Sequence, residues 1–99
     1  MIKQVFAVQD VKVSVFYPPV ALLNENDARR MLCDAVNNSE TIMNKHPKDF
    51  RLFKIGEFND NSGVLSPLAQ PEFVCDAFVY FGKRSDEVTE DILIENGKL

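Results

Sequence analysis

The chain has no tryptophan, one histidine, two cysteines and four glycines in its 99 residues. Each scarcity removes a class of function. A Ser or Cys nucleophile needs a base within reach, and the sole imidazole, His46, lies in the polar stretch Asn44-Lys45-His46-Pro47-Lys48, which reads as an exposed loop. Cys33 and Cys75 stand far apart with no Cys-x-x-Cys. They offer none of the three- or four-ligand spacing of a metal site and read as reduced, structural thiols of a cytosolic protein. The glycines are isolated, so no phosphate-cradling loop is present. No apolar run approaches the roughly 18 residues that cross a bilayer, and the start of the chain reads as a strand without a signal-peptide pattern. These absences predict a soluble, cytoplasmic binding protein: not an enzyme, with no cofactor, no metal and no membrane partner.

What the chain does have is core-forming material: 45% apolar residues, eight Phe and two Tyr. A chain of this size buries one modest core without disulfides or metals. The net charge of −4 is unevenly placed. Residues 1–84 carry ten basic and ten acidic side chains, whereas 85–99 carry Asp86, Glu87, Glu90, Asp91 and Glu95 against Lys98 alone. The composition therefore predicts one α+β domain over 1–84 and an acidic C-terminal tail over 85–99. That tail gains little by packing.

Patterning predicts the elements. Residues 2–8 are apolar on both faces, as in a central strand. Val11, Val13, Val15 and Tyr17 alternate with Lys12 and Ser14, which predicts a half-buried second strand. Asp10 is placed to stabilise the turn between the two, and Pro18-Pro19 ends the pairing because proline lacks the N–H a ladder needs. Asn24 is a good N-cap for a helix over 25–38, in which Ala28, Met31, Leu32, Ala35 and Val36 form one apolar stripe. Residues 39–45 fit a short second helical turn. A strand over 50–58, a polar turn at 60–63 and resumed apolar character at Val64-Leu65 predict a hairpin. Pro67 and Pro71 bracket an irregular connection, and 73–81 reads as the last strand. The fold expected is a small antiparallel sheet of four to five strands with one main helix packed on it. Open sheet edges, and strands apolar on both faces, predict a homodimer.

One segment combines cations with aromatics: Lys45-His46-Pro47-Lys48-Asp49-Phe50-Arg51-Leu52-Phe53-Lys54. Binders of single-stranded nucleic acid use basic grooves with aromatic platforms for bases. The candidate contacts are Lys45, Lys48, Arg51 and Lys54 for phosphates and Phe50 and Phe53 for bases. The competing reading makes both phenylalanines core and the cations a solvated edge. Ala77-Phe78-Val79-Tyr80-Phe81 fits the last five places of the RNA-recognition signature, but Val74-Cys75-Asp76 does not fit the preceding three, so this stretch reads as ordinary core.

The order of motifs resembles a known family. Met1-Ile2-Lys3-Gln4-Val5-Phe6-Ala7-Val8 is followed by Tyr17-Pro18-Pro19, and Arg30-Met31-Leu32-Cys33-Asp34-Ala35-Val36-Asn37 carries a "DAVN" helix. Lys45-His46-Pro47-Lys48-Asp49-Phe50 and Leu52-Phe53-Lys54-Ile55-Gly56-Glu57-Phe58 then precede the polar turn. Over about residues 1–82 this resembles the small nonstructural protein of gokushovirus-type microviruses (Microviridae), single-stranded DNA bacteriophages. The resemblance implies a protein of the host cytoplasm, outside the mature virion, that acts in DNA replication or in single-strand production and packaging. It implies DNA binding and no catalytic residues. Two function classes follow. One is single-stranded DNA binding through 45–54. The other is a protein–protein adaptor that recruits a viral or host replication factor without touching DNA, which the neutral charge of 1–84 favours.

Overall fold

The computed structural model describes residues 1–88. Five strands make one antiparallel sheet: β1 (Ile2–Asp10), β2 (Val15–Phe16), β3 (Val20–Leu22), β4 (Phe50–Asn59) and β5 (Leu65–Asp76). The order is β2-β1-β4-β5, with β3 also paired to β1 on the β2 side. Helix α1 (Glu25–Asn37) and the single turn α2 (Ile42–Lys45) lie between β3 and β4. This is the α+β class that the patterning predicts. β1 is central because it is apolar on both sides, with Val5, Phe6, Ala7 and Val8 all buried.

Local chemistry sets the boundaries. Asn24 caps α1, its side chain accepting from the Asp27 N–H at 2.9 Å. Ala28, Leu32, Cys33 and Val36 are the buried residues of this helix, joining Phe6, Val8, Phe50, Leu52, Cys75 and Tyr80 in the core. The stripe is thus rotated toward Cys33. Met31 and Ala35 are only half-buried, on the flank facing α2 and the Tyr17–Pro18 corner. Thr41 Oγ donates to the Ala35 carbonyl at 2.8 Å, and the Asn44 amide donates to the Val36 carbonyl at 2.9 Å. These two side chains complete acceptors that a helix end otherwise leaves open.

The second strand is shorter than its alternation suggests. Asp10 accepts from the Lys12 N–H at 3.0 Å, the turn role predicted for it, but the turn extends through Ser14, whose φ is +57°. With Pro18-Pro19 on the other side, only Val15–Phe16 remains for the ladder. The β4–β5 hairpin closes through Gly63 at φ +77°, and its N–H donates to the Asn59 carbonyl at 2.8 Å.

β5 corrects two expectations. Pro67 and Pro71 lie within this strand, where an edge position tolerates the missing N–H. Lys54 pairs with Glu72 and Gly56 with Pro67, so Ile55 alone stands opposite residues 68–71, which bulge from the ladder. Gly56 is required here, since a Cβ on it would sit 2.7 Å from the Ser66 carbonyl oxygen. The strand also stops at Asp76, and Ala77–Tyr80 is a 3-10 turn. Alternation fails there because tertiary contacts define the turn. Tyr80 is fully buried and its hydroxyl accepts from Arg29 Nη1 at 3.0 Å. The Asn37 amide donates to the Tyr80 carbonyl at 2.9 Å, and its oxygen accepts from the Gly82 N–H at 2.7 Å.

The packed part reaches beyond residue 84. A 3-10 turn over Ser85–Glu87 lies on α1 and places Val88 in the core. The beginning of the segment assigned to an acidic tail is therefore core-forming, and residues 89–99 lie outside the described residues.

Candidate nucleic-acid interface

Strand alternation divides the six candidate residues between the two faces of the sheet. On β4, Leu52 faces α1 opposite Val8, whereas Arg51 and Phe53 point to the other side, opposite Gln9 and Ala7. Phe50 is a correction: it is 1% exposed, sits in the core and meets the Tyr17 ring edge-on at 6.0 Å. It has no free face on which a base could stack. Lys54 pairs with Phe6 and so lies on the helix side, 3.9 Å from Glu57. Lys45 ends α2, and Lys48 lies in the 3-10 turn Pro47–Asp49 that leads into β4. The basic segment therefore does not act as one surface. Only Arg51 and Phe53 share the open face.

That face carries an aromatic ladder of which Phe53 is the middle rung. Phe16 of β2 and Phe73 of β5 flank it, with ring centroids at 5.3 and 5.8 Å and interplanar angles of 68° and 69°. Both outer rings stand in solvent, Phe16 at 39% and Phe73 at 55% exposure. Edge-to-face packing holds such rings in fixed orientations. The Arg51 guanidinium lies 5.8 Å from the Phe73 centroid, and its Nε is 3.2 Å from Asp76 Oδ1. Beside the ladder, Ala7, Phe16, Tyr17, Ile55, Pro67 and the bulge over 68–71 line an apolar cleft of about 390 Å³. Among the described residues, two segments outside the regular ladder line this cleft, the bulge of β5 and the Tyr17–Pro19 connection between β2 and β3.

Sequence reasoning missed Phe16 and Phe73 as site residues. Their signal was the period of two: Phe53 meets Phe73 once the hairpin register is known, but the bulge at 68–71 hides that register.

The groups beneath the sheet are structural. Burial pushes the Cys75 thiol up to about 11, with the nearby Arg29 pulling the other way. Burial also raises Cys33 and Tyr80. Burial opposes the charge on Arg29, yet its hydrogen bonds to Tyr80 and Glu25 hold its pKa above the ordinary arginine value. Both thiols are protonated at neutral pH and are poor nucleophiles. Among the described residues no group of three His, Cys, Asp or Glu side chains could hold a metal ion. No helix among them is long and apolar enough to cross a membrane.

No curated protein and no solved structure matches the chain. A family model described as Phage ORF5 protein matches residues 3–80. That span contains the ladder, Arg51, Arg29, Asn37 and Tyr80, and the chain belongs to the Phage ORF5 protein family.

Proposed function

We propose that this phage protein binds single-stranded DNA on the open face of its sheet. It would act there in viral genome replication or in single-strand production and packaging, as a nonstructural protein of the gokushovirus type working in the host cytoplasm. The observation that carries this reading is the Phe16–Phe53–Phe73 ladder: three rings on β2, β4 and β5, two of them solvent-exposed, with a guanidinium over the end ring. Every unpaired base has a π-face, and each base–aromatic stack contributes about 1–3 kcal/mol. Bases within a duplex are not available to such rings, so the reading includes a preference for single strands.

A titration of labelled single- and double-stranded oligonucleotides at several salt concentrations tests it. The expected result is tighter binding of single strands, weakened by salt and by Phe16→Ala and Phe73→Ala. Failure to bind any oligonucleotide at low salt refutes the reading.

One observation favours the adaptor alternative. The two cations that alternation places on the open face both have carboxylate partners, Lys3 with Asp60 at 3.7 Å and Arg51 with Asp76 at 3.2 Å. A face so neutralised also suits an apolar protein surface, such as that of a viral or host replication factor. The proposal includes a homodimer, since among the described residues no strand pairs with the outer edge of β5. A strictly monomeric mass by light scattering rules that part out.

A further inference from the structure

We propose that the 3-10 turn at Ala77–Tyr80, with Phe81, forms a second contact for the same DNA strand: a shelf on which bases leaving the sheet stack. This inference rests on the single-strand reading above. Phe78 and Phe81 lie nearly parallel, 14° apart with centroids at 6.1 Å, and remain 46% and 44% exposed. The turn needs neither ring for its own burial, because Ala77 and Tyr80 supply its core contacts. The rings are nonetheless held in place. Asn37 fastens the backbone on both sides of Phe81, donating to the Tyr80 and Lys83 carbonyls and accepting from the Gly82 N–H. Gly82 adopts φ +85°, a conformation other residues rarely take. A platform fixed before binding loses less entropy when it binds.

The charges differ from those on the sheet. Lys48 Nζ lies 4.9 Å from the Phe78 centroid. Among the described residues neither Lys48 nor Lys83 has a carboxylate within 4.0 Å, whereas Arg51, Lys3 and Lys54 each do. Parallel exposed rings with unneutralised lysines match base stacking combined with phosphate contact. A protein-binding patch has no comparable need for the cations. The shelf also continues the ladder. Phe73 and Asp76 of β5 run directly into Ala77, and Lys48 stands two residues before Phe50 on the adjacent strand. Phe78 lies five positions after Phe73, a reach of at most about 18 Å.

The test is a titration with oligothymidylates of about 4, 8 and 16 nucleotides, the range of site sizes of single-strand binders. The variants are Phe78→Ala/Phe81→Ala, Lys48→Ala/Lys83→Ala and Phe16→Ala/Phe73→Ala, with thermal melts as a folding control. The shelf predicts that losing its rings weakens the longest oligonucleotide by about 5- to 150-fold per ring and the shortest by much less. Losing both lysines flattens the salt slope by about 1.4. If both shelf variants bind every length as the unmodified protein does while the sheet variant is weakened, the shelf is refuted and the sheet reading stands. If the shelf variants are weakened and the sheet variant is not, the shelf stands and the sheet reading falls. Absence of binding by the unmodified protein overturns both and moves the aromatic surfaces to a protein partner.

Discussion

Asp76→Asn is expected to tighten DNA binding while leaving the fold intact. The carboxylate sits 3.2 Å from Arg51 Nε, at the junction of the ladder and the 3-10 turn, and both side chains are about half exposed. An ion pair so exposed contributes at most about 1 kcal/mol to stability, so the asparagine variant should melt within a few degrees of the parent. Its effect on DNA is of another kind. A phosphate about 7 Å from a carboxylate is repelled by about 0.6 kcal/mol in bulk-like dielectric and by about 2 kcal/mol at an effective dielectric of 20. Screening over a Debye length of about 8 Å removes roughly half of that at physiological salt. Relief of about 0.3–1 kcal/mol corresponds to roughly two- to fivefold tighter binding. The freed guanidinium also becomes one more phosphate contact, which steepens the salt slope by about 0.7 on single strands. Fluorescence anisotropy of a labelled oligonucleotide from low to physiological salt measures both quantities. Unchanged affinity and slope in a variant that melts like the parent would mean that DNA does not pass over Arg51, and the proposed path would be wrong.

Further expectations address the framework and the chain end. Gly56→Ala should lose about 1–3 kcal/mol in denaturant unfolding, because the new Cβ meets the Ser66 backbone carbonyl at 2.7 Å and not a side chain able to move aside. Leu32→Ala should cost about 2–5 kcal/mol, whereas Met31→Ala, on the half-buried flank of α1, should cost clearly less; equal losses would contradict the rotated stripe. Cys75 predicts a pH dependence. Its folded pKa lies above the ordinary thiol value, so from about pH 9 to pH 11 the unfolded chain gives up the proton first and stability falls as pH rises. Cys75→Ala should remove a decline of up to about 2–3 kcal/mol across that window, and an identical pH profile in both proteins would contradict the burial. Removing residues 89–99, which hold Glu90, Asp91 and Glu95 against Lys98, should tighten DNA binding modestly at low salt while Val88 remains in place. Weaker binding by the shortened chain would count against an electrostatic role for those acids.

Much of the fold was legible because local signals and tertiary needs agree. Asn24 caps the helix that follows it, Asp10 makes its turn, Gly63 closes the hairpin, and the two-sided apolar run at Val5–Val8 marks the central strand. The failures occur where a distant group defines local structure. Nothing in Phe73–Phe81 announces that the strand ends at Asp76. The decision is made by Arg29 and Asn37, more than forty residues earlier, through their bonds to Tyr80 and Gly82. Alternation through 73–81 put Phe78 and Phe81 on opposite faces of a strand, and 77–81 read as ordinary core; the turn instead brings the two rings together and leaves both exposed. The candidate site was half legible. Arg51 and Phe53 were found from the basic-aromatic composition, but composition cannot tell which face of a strand a residue occupies. Phe50, one position from Arg51, went to the core, and Lys54 to the helix side. Val88 is a similar case: an apolar residue between Glu87 and Thr89 that joins the core.

The central claim, that single-stranded DNA lies across the open sheet face, is tested most directly by mapping amide chemical-shift changes while oligothymidylate is added to the isotope-labelled protein at low salt. The account predicts that the largest changes fall on Val15–Phe16, on 51–55 of β4, on 72–76 of β5 and on 78–83, while the outer surface of α1 around Arg30 and Asp34 stays unperturbed. Changes centred on α1, or none at all at saturating oligonucleotide, would contradict it.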